Sequence, residues 1–317
     1  MTKYDVITMG SALVDAFLDT GAKEKNKLIS FPIGTKIRIE NIVFSVGGGG
    51  TNTAASFSRL GLKTGFLGKT GEGYNAKIIL RELKRNKVDF LGVQGKEHTG
   101  YSIILEGDRK HRAILTFKGA SDNLRISEIN LSKLNTKWLY FTSMGEESFK
   151  SQKKLAQYAK EHNIKLAYNP SSYHTVHGAD YLKPILKNAT VLTLNKEEAS
   201  MLTNSKSLFK GLKELGPQIV CITDGENEGG VYDGNYLYRF FPSKVKAKEC
   251  TGAGDAFGSS FVAGLVKLND IEKAIKMGMA NAESVIKQRG AQIGLLSWDK
   301  IEKIIKKNKF NIKKQII

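Results

Sequence analysis

A single aspartate, Asp255, follows a turn of small residues in ECTGAGDAFGSSFVAG (249–264), and the pattern beyond it reads as a helix. With no Cβ at Gly252 and Gly254, backbone N–H groups of the turn are free to point at a ligand, and the positive end of the helix adds to the field. Such a turn suits a phosphate or a developing anion. A bound phosphate would repel a carboxylate beside it. The pairing makes chemical sense if Asp255 takes a proton from a hydroxyl that attacks a phosphoryl group held by Gly252, Ala253 and Gly254. Taken alone, the segment leaves a structural reading open, with Asp255 as a helix cap and the glycines there for packing.

Other residues of matching chemistry lie along the chain. A second glycine turn, VGGGGTNTAASFSRLG (46–61), leads into a helix and carries Asn52, whose amide both donates and accepts. That suits sugar hydroxyls, or equally a bond to its own turn. Asp15, in GSALVDAF, can accept two hydroxyl protons. In LNKEEA, Asn195 and Glu198 stand three apart after a strand-like run, share a helical face and can hold the water shell of Mg²⁺. Thr223 and Gly225, in ITDGENEGG, fall at the end of the next strand, where ligands of parallel sheets bind. No Gly-x-x-x-x-Gly-Lys-Ser/Thr run exists, which excludes a Walker-type site.

The elements that must carry these residues alternate. YDVITMG, KTGFLG, WLYFTSM, IKLAYNP, TVLTLN and QIVCITDG read as strands, separated by helical patterns such as YNAKIILRELKRNK and SFKSQKKLAQYAKEHN. This predicts an α/β fold, a doubly wound and mainly parallel sheet flanked by helices. Residues 11–40 and 96–118 break the alternation with short β-like runs (KIRIE, YSIILEG, HRAILTF) and are expected to pair as a small sheet beside the main domain. There Ser102 and Ile104 point one way, Tyr101 and Ile103 the other. The expected division is a large domain of 1–10, 41–95 and 119–310, the two inserts, and a basic tail at 311–317.

Composition sets outer bounds. The 317 residues are 41% apolar, enough for a large core. The formal charge of +18 comes mostly from lysines scattered on helix-like segments, which reads as solvated faces rather than a nucleic-acid surface. There is no run of eighteen apolar residues and no leader-like N-terminus. Cys221 and Cys250 have no metal-site spacing and suit a reducing cytoplasm.

Together GGGGTNTA, Gly61, Gly71, Asn195-x-x-Glu198, Thr223-x-Gly225 and TGAGD resemble the ribokinase or PfkB carbohydrate kinase family, from Tyr4 to about Leu296. The resemblance implies a ribokinase-like fold whose inserts form a β lid. It implies ATP as donor, Asp255 as catalytic base and Gly252–Gly254 as the anion hole. Asn195 and Glu198 would organise Mg²⁺ and phosphate, with Thr223 and Gly225 at the ATP site and Asn281 near the adenine. Asp15, Gly48, Gly49 and Asn52 would hold the sugar, with Ser102 and Ile104 beside it.

The chain departs from the family pattern in several places. Glu249-Cys250-Thr251 stands where Asp-Thr-Thr is usual, which puts a monovalent-cation (K⁺) site in doubt. Cys250, near a helix N-terminus, reads either as an oxidation-sensitive thiol or as a small packed residue. Gly49 replaces a frequent lysine, leaving room for a larger acceptor. Asn169 stands for a commoner Asp. Arg112 and Lys118 read as edge-strand charges, or as contacts to a phosphorylated sugar.

The sequence therefore predicts a kinase that transfers the γ-phosphoryl group of ATP to a primary hydroxyl of a small sugar. The alternative acceptor is the ribose 5′-hydroxyl of a nucleoside. A different class, a non-catalytic basic binding protein for RNA or an acidic partner, fits poorly with an intact Asp255 and turn. No membrane partner is expected; a homodimer through the lid is an expectation from the resemblance.

Overall fold

The computed structural model describes residues 3–26, 28–108, 111–245 and 247–317. The strand-like runs assemble into a ten-stranded sheet. Its order is Asn311–Ile316, Tyr236–Phe241, Gly229–Tyr232, Ile219–Thr223, Val191–Asn195, Lys165–Asn169, Thr136–Thr142, Tyr4–Met9, Thr64–Leu67 and Asp89–Phe90. From Ile219–Thr223 to Asp89–Phe90 every pairing is parallel. The strands beyond Ile219–Thr223 pair antiparallel.

Both faces of the sheet are covered, which is why its strands read as unbroken apolar runs. In Thr136–Thr142, Leu139 and Phe141 enter one layer, with Phe149, Leu155 and Ile185 from helices Glu146–Glu161 and Gly178–Leu186. Trp138 and Tyr140 enter the other, with Phe57, Phe261 and Ile275 from helices Gly49–Arg59, Ala253–Leu268 and Ile271–Val285. From Tyr4–Met9 the chain moves to one edge, and from Thr136–Thr142 it moves to the other. The crevice of this doubly wound sheet therefore lies between those two strands. The glycine turn at 47–50 sits over it: Gly50 N–H donates to the Ser11 carbonyl at 3.1 Å, and Gly49 lies against Thr142.

A smaller, four-stranded sheet has the order Arg112–Gly119, Thr99–Gly107, Leu13–Ala22, Asn41–Gly47. Its register sets side chains in rows. Thr116, Ser102, Asp15 and Ser45 form a polar row; Ile114, Ile104, Phe17 and Val43 the next on that face; Arg112, Glu106, Asp19 and Asn41 the third. The opposite face carries the row Leu115, Ile103, Ala16 and Phe44, with Leu115 57% and Phe44 56% exposed.

Three details differ from the sequence reading. Asn41–Gly47, expected in the main domain, is the fourth strand of the smaller sheet, because its alternating run pairs along Leu13–Ala22. KIRIE (36–40) forms no strand. Asn311–Ile316 is an edge strand of the main sheet rather than a tail, with Ile312 against the apolar layer and Lys314 3.8 Å above the Tyr236 ring. Among the described residues no helix is long and apolar enough to cross a membrane.

Candidate active site

The turn before helix Ala253–Leu268 is held from both ends. Gly252, at φ 81°, is left-handed and takes the N-cap position, where a Cβ would fall 2.4 Å from that of Ala291. Gly254 faces open space, and its bareness keeps the approach to the helix N-terminus clear. The Ala253 N–H donates to the Cys250 carbonyl at 3.2 Å. Of the three residues expected to offer amides, Ala253 is thus occupied within the turn, and the Ala256 N–H is taken by the Gly252 carbonyl at 2.9 Å, which leaves the amides of Gly252, Gly254 and Asp255 at the helix start without an intrahelical acceptor. Glu249 Oε1 accepts from Thr251 N at 2.9 Å and from Thr251 Oγ1 at 2.8 Å, and the same carboxylate pairs with Arg112.

Asp255 sits in that first turn. Burial raises its pKa above the ordinary carboxylate value, and a hydrogen bond from Asn52 opposes the rise. Asn52 Nδ2 donates to Asp255 Oδ2 at 2.9 Å, while Asn52 Oδ1 accepts from Gln292 Nε2 at 3.1 Å. An ionised carboxylate only accepts, so the amide is oriented by its neighbours. Gln292 escaped the sequence reading, since nothing in RGAQIG marks it. The backbone carbonyl of Gln292 is in turn held by Arg59 Nη1 at 2.7 Å. The two glycine-turn helices are pinned together one turn further on, where Ser259 Oγ lies 2.7 Å from Ser56 Oγ.

Asp15, 6% exposed, projects from the polar row between Ser102 and Ser45. Burial pushes its pKa up to about 6, against the pull of the Ser102 hydroxyl. Its neighbour must be glycine: a Cβ at Gly47 would lie 1.8 Å from Asp15 Oδ2. Gly48 and Gly49 carry the turn from Asp15 to Asn52, and Gly48 O accepts the Asn52 N–H at 2.9 Å. Ile104, two residues past Ser102, is buried on the same side. Thr116 Oγ1 lies 3.4 Å from Ser102 Oγ, and beyond it opens a cavity of about 730 Å³, lined in part by Lys118, Asp122 and Tyr173. The Lys118 ammonium lies 4.0 Å over the Tyr173 ring. Ser45 Oγ, Thr142 Oγ1 and Gln292 Oε1, all around the 47–52 turn, are buried without a hydrogen-bond partner.

Asn195 and Thr223 are register partners at the carboxyl ends of adjacent parallel strands, and Gly225 follows in an open loop. Asn195 and Glu198 face each other as well as a common side. Asn195 Oδ1 accepts the Glu198 N–H at 2.8 Å, and Glu198 Oε2 accepts the Asn195 N–H at 2.9 Å, a capping box that starts helix Lys196–Leu202. Desolvation raises the Glu198 pKa. Gly258, one turn into the Asp255 helix, packs on the Tyr140 hydroxyl and Thr193, so the strand that ends at Asn195 runs beneath the first turns of this helix. Among the described residues no three His, Cys, Asp or Glu side chains could jointly hold a metal.

Asn281 requires a correction. It is 0% exposed; its Nδ2 donates to Ser260 Oγ at 2.6 Å and to Ser56 Oγ at 3.3 Å, and its Oδ1 accepts the Leu296 N–H at 2.9 Å. Every polar atom of the amide is engaged inside the protein. It ties three segments together and offers nothing to an adenine.

Two glycine turns thus lie at one end of a doubly wound sheet, one of them carrying a carboxylate whose pKa burial raises. Residues 6–298 match the model of the pfkB family of carbohydrate kinases, and the chain belongs to that family. It is a phosphotransferase with an alcohol group as acceptor, which leaves the reading as a non-catalytic binder without support. A protein of Archaeoglobus fulgidus described as an uncharacterized sugar kinase is 29% identical over 247 residues, 75% of this chain and 97% of that one. Ribokinase of Bacillus subtilis is 28% identical over 265 residues, 82% of this chain and 87% of that one. The structure of Arabidopsis thaliana ribokinase with ribose and ATP superposes with a TM-score of 0.83 at 20% identity, over 97% of this chain and 100% of that one, a likeness of fold.

Two outcomes follow for buried polar groups. Because the folded state holds a proton on Asp15 up to about pH 6, its stabilising contribution is complete below the ordinary value of 3.8 and is lost as pH rises through 6. Asp15→Asn should therefore gain stability over wild type between about pH 4 and 7, by up to about 3 kcal/mol in denaturant titrations; an unchanged difference would refute the burial argument. Asn281→Ala should lose about 2–3 kcal/mol while its KM for ATP stays within about twofold. A large KM change with unaltered stability would restore Asn281 to the nucleotide site.

Proposed function

We propose that this kinase transfers the γ-phosphoryl group of ATP to a primary hydroxyl of a small sugar, with Asp255 as general base. The observation that carries the reading is the Asn52–Asp255 hydrogen bond, which sets the carboxylate at the meeting point of the two glycine turns. The acceptor hydroxyl gives its proton to Asp255, its oxygen forms the new bond to phosphorus, and the bond from phosphorus to the ADP oxygen breaks. Charge on the transferring group is met by Gly252, Gly254 and the helix N-terminus. Asn52 holds Asp255 in position. Asp15, with Ser102 and the backbone of Gly48 and Gly49, binds acceptor hydroxyls under Ile104, and the buried oxygens of Ser45 and Thr142 suit a polyol. The smaller sheet acts as a lid that excludes water from the transfer.

For the donor, Thr223 and Gly225 line the strand ends where ATP would lie, beside Asn195. Glu198 already spends one oxygen on the Asn195 N–H. It suits a water-mediated hold on Mg²⁺, and when bound the ion supplies neutralising charge at the phosphates. At Glu249 the carboxylate is occupied by Thr251 and Arg112, a poor fit for K⁺, and turnover should be the same in Na⁺ and K⁺.

A nucleoside is the second reading, favoured by the cavity of about 730 Å³ beyond Thr116, which has room for a base. Use of ATP and the unpaired Cys221 and Cys250 suit a cytoplasmic enzyme. Leu115 and Phe44, exposed at the two ends of the row Leu115–Ile103–Ala16–Phe44, suit a homodimer through the lid.

A panel of ribose, fructose, fructose 6-phosphate and adenosine, with ATP and Mg²⁺, tests the acceptor. Asp255→Asn should lower acceptor-stimulated turnover about 10³-fold with little change in KM for ATP. Because burial raises the Asp255 pKa, the acidic limb of wild-type kcat/KM should lie above the ordinary carboxylate range. Full activity in Asp255→Asn would end the mechanism. In sedimentation, wild type should run as a dimer and Leu115→Glu as a monomer; a monomeric wild type would remove the dimer from the reading.

A further inference from the structure

Two ion pairs join the lid to the body along its third row. Glu106 and Arg112 are register partners on adjacent strands. The Glu106 carboxylate meets the Arg289 guanidinium at 3.0 Å, and Arg112 pairs with Glu249. Their body partners are neighbours too: the N–H groups of Lys248 and Glu249 donate to the Ile286 carbonyl at 2.7 and 3.2 Å, three residues before Arg289. A minus–plus pair on the lid thus faces a plus–minus pair on the body.

The body half of this quartet is made from the segments that hold the catalytic turn. Glu249 bonds both the N–H and the hydroxyl of Thr251, immediately before Gly252. Two residues after Arg289, Ala291 packs on Gly252, and Gln292 donates to Asn52, which donates to Asp255. Both carboxylates are deeply buried, with side-chain exposures of 7% for Glu106 and 5% for Glu249. Stripped of its guanidinium while still buried, either would be an unpaired desolvated charge. The pairs therefore belong to the closed lid, and the carboxylates must regain water when it lifts.

We propose that Glu106 and Arg112 are the latch of the lid, and that Arg112 is a positioning residue which, through Glu249, fixes the Gly252–Gly254 turn on closure. This rests on the reading of that turn as the phosphoryl site. Arg112 touches no reacting atom. Its action is to hold the carboxylate that holds Thr251, so that closing the lid and ordering the turn are one event.

Hydrogen exchange of the full-length protein tests the coupling without requiring turnover. Arg112→Gln should speed exchange of the amides in 250–256 about 10-fold or more, as should Glu249→Gln, and the double variant should exchange no faster than Glu249→Gln alone. Arg112→Lys, which keeps the charge, should retain much of the protection. Wild-type exchange at 250–256 in Arg112→Gln, or simple addition of the two effects, would overturn the proposal. In the four-acceptor panel Arg112→Gln should lower turnover by a common factor of about 10, since a turn effect is blind to the acceptor. A loss confined to fructose 6-phosphate would make Arg112 an acceptor contact instead and overturn it. Failure of the underlying reading would show separately, as full turnover in Asp255→Asn with the exchange coupling intact.

Discussion

The hydrogen bond from Asn52 to Asp255 joins residues 203 apart in sequence and closes the site. Asp255 sits in the positive field of a helix N-terminus, where burial raises its pKa and the neutral Asn52 amide opposes the rise. An amide pulls that pKa down less than a lysine or arginine beside the carboxylate would. Much of the surrounding architecture keeps that amide in place. Gln292 fixes its oxygen, Arg59 fixes Gln292, and Ser56, Ser259 and Asn281 lock the two helices on which the pair depends.

The smaller sheet shows how a period of two residues sorts chemistry along a strand. On the face carrying Asp15, a polar row suited to hydroxyls gives way to an apolar row and then to a charged row that reaches the body. The cost is visible at Asp15, a buried acid whose charge is opposed by its surroundings. Once ionised, that carboxylate works against the folded state.

The main sheet was legible from the sequence because both its faces are buried. Continuous apolar runs alternating with amphipathic helices admit few arrangements other than a parallel, doubly wound sheet. The edges were less legible. Asn311–Ile316 reads as a basic tail because its lysines dominate the composition, yet they lie over aromatic rings while Ile312 supplies the packing. Asn41–Gly47 was assigned to the wrong sheet because a strand's pattern does not name its partner.

By itself the sequence determined the local chemistry: two glycine turns at helix starts, a lone carboxylate in one and an amide in the other, and acids and amides at strand ends. These follow from backbone freedom and side-chain type within a few residues of each other. Tertiary structure alone decided what each polar group faces. It turned Asn281 inward to three protein partners, engaged Ala253 within its own turn, made Asn195 and Glu198 cap each other, set Arg112 against Glu249, and brought to Asn52 a Gln292 that its own neighbourhood does not mark. The physical reason is that a buried polar atom must find its partner wherever the fold supplies one, and the contacts that do so here span up to 240 residues.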